Sequence, residues 1–364
     1  MVVENDIADG TTEPGSAGTL DAARNAGAVI GIDVGGTDLK GSVYDSTGAE
    51  LLRLQRPTPV GDGVPAVVTA IVDLVQELRS RTGPATPVRG VGLIFPGVVE
   101  AAAGMARYSV NIGWRDLPLR DLVSERVGLP VAIDHDVRAG GLAELTLGAA
   151  RGAREALFVP IGTGIAGAVI SGGAVVTGAR QMAGEIGHIP VCPDGELCAC
   201  GQRGCTETYA SASALPRRYA AAAAAQQAPA AAAAQQAPAA AAAQPLRAED
   251  VLALAAAGDP LARTVFDEAL TALGRALVTY TMLMDPSVIV IGGGMVRAGS
   301  ALLDPLAEAV QRGLVWRDAP AIVAARFGSD AGRVGAALVG WQAVRRNQEV
   351  STDAGGSYRQ RHAV

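Results

Sequence analysis

The sequence predicts an α/β protein, because short apolar strand segments alternate with helical periodicity along most of its 364 residues. Three observations carry that prediction. A strand–turn–strand pattern opens the chain after residue 28, amphipathic helical segments recur behind it, and short runs rich in Val and Ile end in glycine turns. A chain of this length can form two domains, each with its own core.

The first half of the chain begins with an antiparallel meander, in which polar and glycine-containing turns separate short strands. Apolar spacing of 3 and 4 residues then indicates amphipathic helices. We expect strands at 29–33, 39–44, 51–54, 91–95 and 131–133, and helices at 65–79 and 137–147. Residues 28–133 are therefore predicted to form a small domain.

The second half shows the same alternation of strands and helices. We expect strands at 156–161, 166–170 and 288–291, and helices at 260–284 and 332–343. The predicted large domain covers residues 134–331. A terminal helix at 332–346 is expected to return to the small domain and complete it.

Three segments are predicted to be disordered: the small, polar and acidic residues 1–27, the Ala/Gln/Pro repeat at 220–245, and the tail 347–364. The amino terminus lacks the basic start and apolar run of a secretory signal, and the chain has no apolar stretch long enough to span a bilayer. A cytoplasmic location without membrane contact is therefore expected. The net charge of −6, without a basic cluster, argues against a nucleic-acid partner.

Three glycine-rich turns carry the first chemical signal. Backbone amides in such turns can cradle phosphates, and an Asp beside them can hold Mg²⁺. The second turn also matches the GxGxxG pattern of dinucleotide-binding proteins, but a strand follows it where that pattern requires a helix. The residues are Asp33, Gly35, Gly36 and Thr37 in the first turn, Gly162, Thr163, Gly164 and Gly167 in the second, and Gly292, Gly293 and Gly294 in the third.

The order of these turns resembles the ATPase domain shared by actin, the 70-kDa heat-shock proteins and sugar kinases. That resemblance implies a two-domain, actin-like ATPase fold of the ribonuclease H-like type, with a cleft between the domains. It also implies ATP with Mg²⁺, held by the first two turns, with the nucleoside at the third.

A cluster of potential metal ligands lies in one short window, with the spacing H-x9-C-x-C-x4-C. One imidazole and three thiolates suit a closed tetrahedral Zn²⁺ site, which is structural rather than catalytic. The predicted ligands are His188, Cys198, Cys200 and Cys205, and Cys192 is surplus to the pattern.

The segments EIGH at 185–188 and CACGQRGCTE at 198–207 resemble the signature of the ROK family (repressors, open reading frames and kinases). The resemblance covers residues 29–343. It implies that Glu185, His188 and Glu207 contact sugar hydroxyls, with the other nitrogen of His188 on zinc. It further implies that Asn111 binds the sugar and that Gly97 forms the turn beside it.

The resemblance also identifies Asp136 as the general base, because the catalytic Asp of ROK kinases occupies this place after a strand. Asp136 could equally be a helix N-cap. The chain departs from the family nearby: His135 replaces an Asn that contacts the sugar, and Arg138 replaces a small or amide residue. Sugar choice is therefore the open property, with His135 as a candidate substrate ligand.

These features predict an ATP-dependent hexose kinase that phosphorylates the 6-hydroxyl of glucose or a related hexose. N-acetylmannosamine, N-acetylglucosamine or an amino-hexose are alternative substrates, and polyphosphate is an alternative donor. The resemblance also allows a sugar-sensing regulator without catalysis, although residues 1–27 contain no basic recognition helix. A homodimer or homotetramer is expected from the family.

Overall fold

The computed structural model describes residues 27–233 and 246–359. The predicted extension 1–27, apart from Gly27, lies outside the described residues, as do residues 234–245 of the predicted insertion. The strands are β1 (Ala28–Val34), β2 (Asp38–Asp45), β3 (Glu50–Pro57), β4 (Val88–Phe95), β5 (Val98–Glu100), β6 (Met105–Ser109), β7 (Trp114–Leu117), β8 (Val131–His135), β9 (Ala156–Pro160), β10 (Ala168–Ser171), β11 (Ala174–Val175), β12 (Val288–Gly292) and β13 (Ala321–Ala324). The α-helices are α1 (Val64–Thr82), α2 (Leu119–Val127), α3 (Asp136–Leu147), α4 (Glu207–Ala210), α5 (Ala214–Ala233), α6 (Ala248–Ala256), α7 (Pro260–Met284), α8 (Ser300–Gly313) and α9 (Ala331–Arg359).

Two five-stranded sheets organise the fold, and both follow the same plan. The first has the order β3-β2-β1-β4-β8, and the second has the order β11-β10-β9-β12-β13. In each sheet the first three strands are antiparallel neighbours and the last three are parallel neighbours. A repeated sheet of this kind is the expected actin-like, ribonuclease H-like architecture. A small antiparallel sheet, β5-β6-β7, is added beside the first.

Helices cover both faces of the first sheet. The apolar sides of α1 and α2 pack on one face and enclose the largest core of this half. Helix α9 crosses the other face at β1 and β4. That approach is close: a Cβ on Gly92 of β4 would lie 1.9 Å from the carbonyl oxygen of Ala336, so only glycine fits there.

The second sheet is packed in the same way. Helices α6, α7 and α8 bury an aliphatic core against one face, whereas α3 covers the opposite face together with the start of α9. Because α3 and α9 also pack on each other, these two helices lie between the two sheets. The carboxyl ends of β1, β4, β8, β9 and β12 lead directly into the turns that the sequence singles out, which is where α/β folds bind ligands.

The predicted α/β class and each strand and helix predicted within the described residues are confirmed. The structure adds elements that had no prediction, namely α2, α4, α6, α8, β11, β13 and the small sheet. Helix α9 extends to Arg359, past residue 347 where a disordered tail was expected, and α5 extends into the predicted insertion as far as Ala233. Within residues 27–233 and 246–359, no helix combines the length and apolar character needed to cross a membrane.

Candidate active site

A cavity of about 610 Å³ collects most of the residues predicted to bind the sugar. Strand ends from both sheets and the loop before the cysteine cluster form its walls. Its lining includes Gly97, Asn111, His135, Asp136, Glu185, His188 and Glu207, together with Gly162, Thr163, Gly164 and Gly167 of the second glycine turn. Residues more than 100 positions apart in sequence thus line the same cavity.

Asp136 lies at the first position of α3, at the mouth of this cavity. Its Oδ1 accepts the backbone N–H of Val137 at 2.7 Å, and the Nδ1 of His135 lies 3.2 Å from the same oxygen. His135, rather than Asp136, is the N-cap residue of α3. Both of these contacts involve Oδ1.

Asn111 connects the cavity to the first glycine turn. A Cβ on Gly36 would lie 3.0 Å from the Asn111 carbonyl oxygen, so this turn packs directly on the Asn111 backbone. The turn is fixed from the other side by Thr58, whose hydroxyl donates to the carbonyl of Gly35 at 2.7 Å. Asp33, Gly35, Gly36 and Thr37 are not among the residues that line the cavity, although Gly36 packs on Asn111, which does.

Asp33 is the one carboxyl group near this site with a strongly shifted pKa among the described residues. Burial raises the pKa of Asp33 from 3.8 to about 6, and the negative charge of Asp136 adds to the increase. Lys40 and Arg333 act in the opposite direction without cancelling it. A buried carboxylate that lacks sufficient positive charge fits a divalent cation such as Mg²⁺, which would supply that charge.

The second glycine turn is held by Glu207. The backbone N–H of Ile165 donates to the Oε2 of Glu207 at 2.8 Å, and a Cβ on Gly164 would lie 2.4 Å from the same oxygen. Glycine at 164 therefore lets the turn approach the carboxylate. Because Glu207 begins α4 two residues after Cys205, the last cysteine of the cluster, the glycine turn is connected through Glu207 to the cysteine loop.

The four predicted metal ligands come together at one point. Their ligand atoms all lie within 4.8 Å of one another. A tetrahedral zinc ion with bonds of about 2.3 Å to sulfur and about 2.0–2.1 Å to nitrogen requires ligand separations of about 3.8 Å for S–S and 3.6 Å for S–N. The observed separations are 3.7 Å between Cys200 and Cys205 and 3.6 Å between Cys198 and the Nδ1 of His188, so these residues fit Zn²⁺.

The two ring nitrogens of His188 face different partners. Nδ1 is directed at the cysteine cluster, whereas Nε2 lies 4.0 Å from the Oε2 of Glu185, on the cavity side. A metal bound at Nδ1 would therefore hold the His188 ring, whose Nε2 faces the cavity.

The thiols of the cluster differ in pKa. A backbone hydrogen bond from Gln202 lowers the pKa of Cys200 to about 7, whereas burial raises the pKa of Cys205 to about 12.

The third glycine turn lies beside a second cavity, of about 690 Å³, which is lined mainly by α6, the two residues before it and the segment 294–298. Gly294 lines this cavity, whereas Gly293 packs against the carbonyl of Ile161, and Gly292 accepts the N–H of Ile161. Ala212, on its wall, donates its N–H to the carbonyl of Gly162 at 2.8 Å. The second and third turns therefore border neighbouring spaces.

The sequence did not anticipate how Asp134, Arg138 and Gln181 are connected at the cavity. Arg138 pairs with Asp134 and also donates to the backbone carbonyl of Gln181. An Asp and an Arg four residues apart across a strand–helix junction could have indicated the ion pair. The contact to Gln181, 43 positions away, had no local signal.

Comparisons with known proteins identify the family of this chain. The model of the ROK family matches residues 29–342. A glucokinase from Halalkalibacterium halodurans is 36% identical over 330 residues, which cover 90% of this chain and 97% of that protein.

Two solved structures share the fold. A ROK family glucokinase from Streptomyces griseus, in complex with glucose and AMPPNP, has a TM-score of 0.71 and 34% identity, covering 87% of this chain and 100% of that chain. A ROK family transcriptional regulator, a homolog of the E. coli MLC protein, has a TM-score of 0.75 and 26% identity, covering 88% of this chain and 78% of that chain. On the family match and the 36% identity together, this chain belongs to the ROK family.

Proposed function

We propose that this protein is an ATP-dependent hexose kinase that transfers the γ-phosphate to the 6-hydroxyl of glucose or a related hexose. One observation carries the proposal. A carboxylate at a strand–helix junction, several groups suited to sugar hydroxyls and a glycine turn suited to phosphate all line the same 610 Å³ cavity. Curated and solved relatives named as glucokinases support the reaction class.

The sugar would lie between Asn111 on one side and Glu185, His188 and Glu207 on the other. Carboxylate and amide oxygens accept hydrogen bonds from hydroxyl groups, which accounts for an acceptor-rich lining. His135, at the start of α3, would contact a hydroxyl on the same sugar. The cavity volume is in the range of small-molecule sites.

Asp136 would act as the general base. The oxygen not bonded to the Val137 N–H would accept the proton of the 6-hydroxyl as that hydroxyl attacks the γ-phosphorus. The amides of the turns at 35–37 and 162–167 would orient the phosphates, and the third turn would face the nucleoside. Mg²⁺ held at Asp33 would neutralise charge on the phosphate oxygens.

The cysteine cluster would take no part in the chemistry and would only position residues of the active site. Zn²⁺ bound by His188, Cys198, Cys200 and Cys205 would keep the loop and the His188 ring in place. His188 would then present Nε2 to the sugar, and the helix that carries Glu207 would begin two residues after the last ligand, Cys205. A homodimer or homotetramer remains an expectation from the family.

A coupled assay tests the proposal. Purified protein would be assayed for ADP release with ATP and a panel of glucose, mannose, fructose, N-acetylglucosamine, N-acetylmannosamine and an amino-hexose, with polyphosphate as the alternative donor. We expect phosphorylation of at least one hexose, with glucose first. Sugar binding by calorimetry without turnover on any member of the panel would contradict the kinase and favour a sugar-sensing regulator.

A further inference from the structure

Arg138 is the most deeply buried charged group beside the sugar cavity. Its side chain is 3% exposed, although it lies in the first turn of a helix that borders an open cleft. Burying a guanidinium is unfavourable unless its N–H groups find acceptors. The partners of Arg138 are therefore informative about why it is there.

The guanidinium group contacts three separate segments. Nε and Nη2 lie 2.8 and 2.7 Å from the Oδ1 of Asp134, at the end of β8. Nη2 also donates to the carbonyl of Val99 in β5 at 2.9 Å, and Nη1 donates to the carbonyl of Gln181 at 3.1 Å. A lysine has a single ammonium group and could not reach all of these acceptors.

Two of the segments joined in this way contribute to the walls of the cavity. Val99 follows Gly97 and Val98, which line the cavity from the side of the first sheet. Gln181 belongs to the segment 178–184, whose residues 181–184 line the cavity from the side of the second sheet and lead directly to Glu185. Arg138 thus fixes the distance between two walls that would enclose the sugar.

The segment 178–184 needs such support. Gln181 has a φ of +60°, in the left-handed region that is unfavourable for a residue other than glycine. The segment is held at its end by the Gly167 N–H, which donates to the carbonyl of Gly184 at 2.7 Å. At its middle, Arg138 is the side chain that fixes the Gln181 backbone.

We propose that Arg138 is a positioning residue for the sugar subsite. It ties β5 and the segment 178–184 to α3, and so sets affinity and selectivity for the sugar without touching the transferred phosphate. This inference rests on the proposed hexose kinase function. None of the contacts of Arg138 involves the glycine turns at 33–37, 162–167 or 292–294, so ATP binding should not depend on it.

The test is the variant Arg138→Lys, which keeps the positive charge beside Asp134 but loses the bonds to both carbonyls. We expect the KM for the sugar to rise about tenfold or more, with kcat at saturating sugar within about threefold and the KM for ATP within about twofold of the wild type. Sugar affinity measured by calorimetry without nucleotide should fall by the same factor. This split separates positioning from general loss of structure, which would lower all parameters together.

Arg317→Lys is a matched control. The Arg317 side chain is also partly buried, pairs with Asp285 and donates to a backbone carbonyl, but it lies at the opposite edge of the second sheet. The Arg317→Lys variant should leave the KM for the sugar and the KM for ATP unchanged.

The double variant Asp134→Asn/Arg138→Gln removes both charges together, leaves no unpaired buried charge, and should reproduce the rise in sugar KM.

Each outcome decides the inference. An unchanged sugar KM in Arg138→Lys, or equal changes in sugar KM, ATP KM and kcat, would overturn it while the wild-type kinase activity stood. If both variants failed to fold, Arg138 would be a folding determinant only, and the inference would be wrong. A wild type without turnover on any sugar would instead contradict the proposed function itself.

Discussion

Replacing Asp33 by Asn should stabilise the protein while abolishing its proposed catalytic function. Burial and the charge of Asp136 raise the pKa of Asp33 from 3.8 to about 6. The ionised form is therefore disfavoured in the folded state relative to the unfolded state, where the pKa is ordinary. Asparagine has nearly the same shape and no charge, so Asp33→Asn should remove that penalty.

The magnitude and its pH dependence follow from the two pKa values. Protonation of Asp33 contributes to the stability of the folded protein because the protonated carboxyl avoids the penalty. This contribution is fully present below pH 3.8, is lost as the pH rises through about 6, and changes little above that. At pH 7.5 the penalty on the ionised form is about 3 kcal/mol, and at pH 5 it falls to about half of that. The gain from Asp33→Asn should therefore be about half as large at pH 5 as at pH 7.5.

Denaturant unfolding of nucleotide-free and Mg²⁺-free protein at the two pH values measures this difference. No chelator is added, so that metal at the cysteine cluster is retained. Asp73→Asn is the matched control, since Asp73 is exposed on α1 and should change the free energy of unfolding by no more than about 0.5 kcal/mol. Adding Mg²⁺ and nucleotide should stabilise the wild type more than the variant, because the bound cation favours the ionised carboxylate.

The outcome that refutes this reasoning is specific. If Asp33→Asn is no more stable than the wild type at pH 7.5, or if its gain is the same at pH 5 and pH 7.5, then Asp33 does not carry a raised pKa. If the variant retains wild-type turnover with ATP, Asp33 does not hold Mg²⁺, whatever its effect on stability.

Three further predictions concern the cavity and the cysteine cluster. Asp136→Asn should bind sugar with near-normal affinity in calorimetry but lose turnover by about 10²–10⁴-fold, and near-normal turnover would exclude it as the base. Elemental analysis should find about one zinc per chain. Cys198→Ser should lower the zinc content to less than half of the wild-type value and raise the KM for the sugar, whereas Cys192→Ser should leave the zinc content and the sugar KM unchanged. Gly164→Ala should lower kcat/KM about tenfold or more, since its Cβ would lie 2.4 Å from the Oε2 of Glu207; unchanged kinetics would show that the turn can move aside.

Local patterns were sufficient wherever the interacting residues are close in sequence. The four metal ligands span residues 188–205, and glycines at Gly201 and Gly204, both with positive φ, turn the chain between them. The spacing therefore predicted the cluster correctly. The glycine turns were likewise predictable, because an apolar strand followed by glycines has few alternative conformations.

Contacts between distant segments had no such signal. The sequence identified Arg138 as a departure from the family pattern but did not indicate its acceptors, which lie 39 and 43 positions away. Both acceptors are backbone carbonyls, which every residue has, so no residue type in β5 or in the segment 178–184 could have marked them. The raised pKa of Asp33 is similar, because it depends on burial and on the charge of Asp136, about 100 positions further along the chain.

Some groups of the candidate site lie at strand ends of the two repeated sheets, and others lie in segments added to those sheets. The glycine turns follow β1, β9 and β12, and Asp136 follows β8, so this topology places the three proposed phosphate and nucleoside turns and the proposed base at the carboxyl ends of strands. The groups proposed to contact the sugar come from additions to the repeat: Asn111 between β6 and β7, and Glu185 and His188 in the loop before the cysteines. Arg138 joins these additions to the repeated framework through carbonyls of β5 and the segment 178–184. Phosphate binding should therefore tolerate changes at residue 138, whereas the choice of sugar should respond to them.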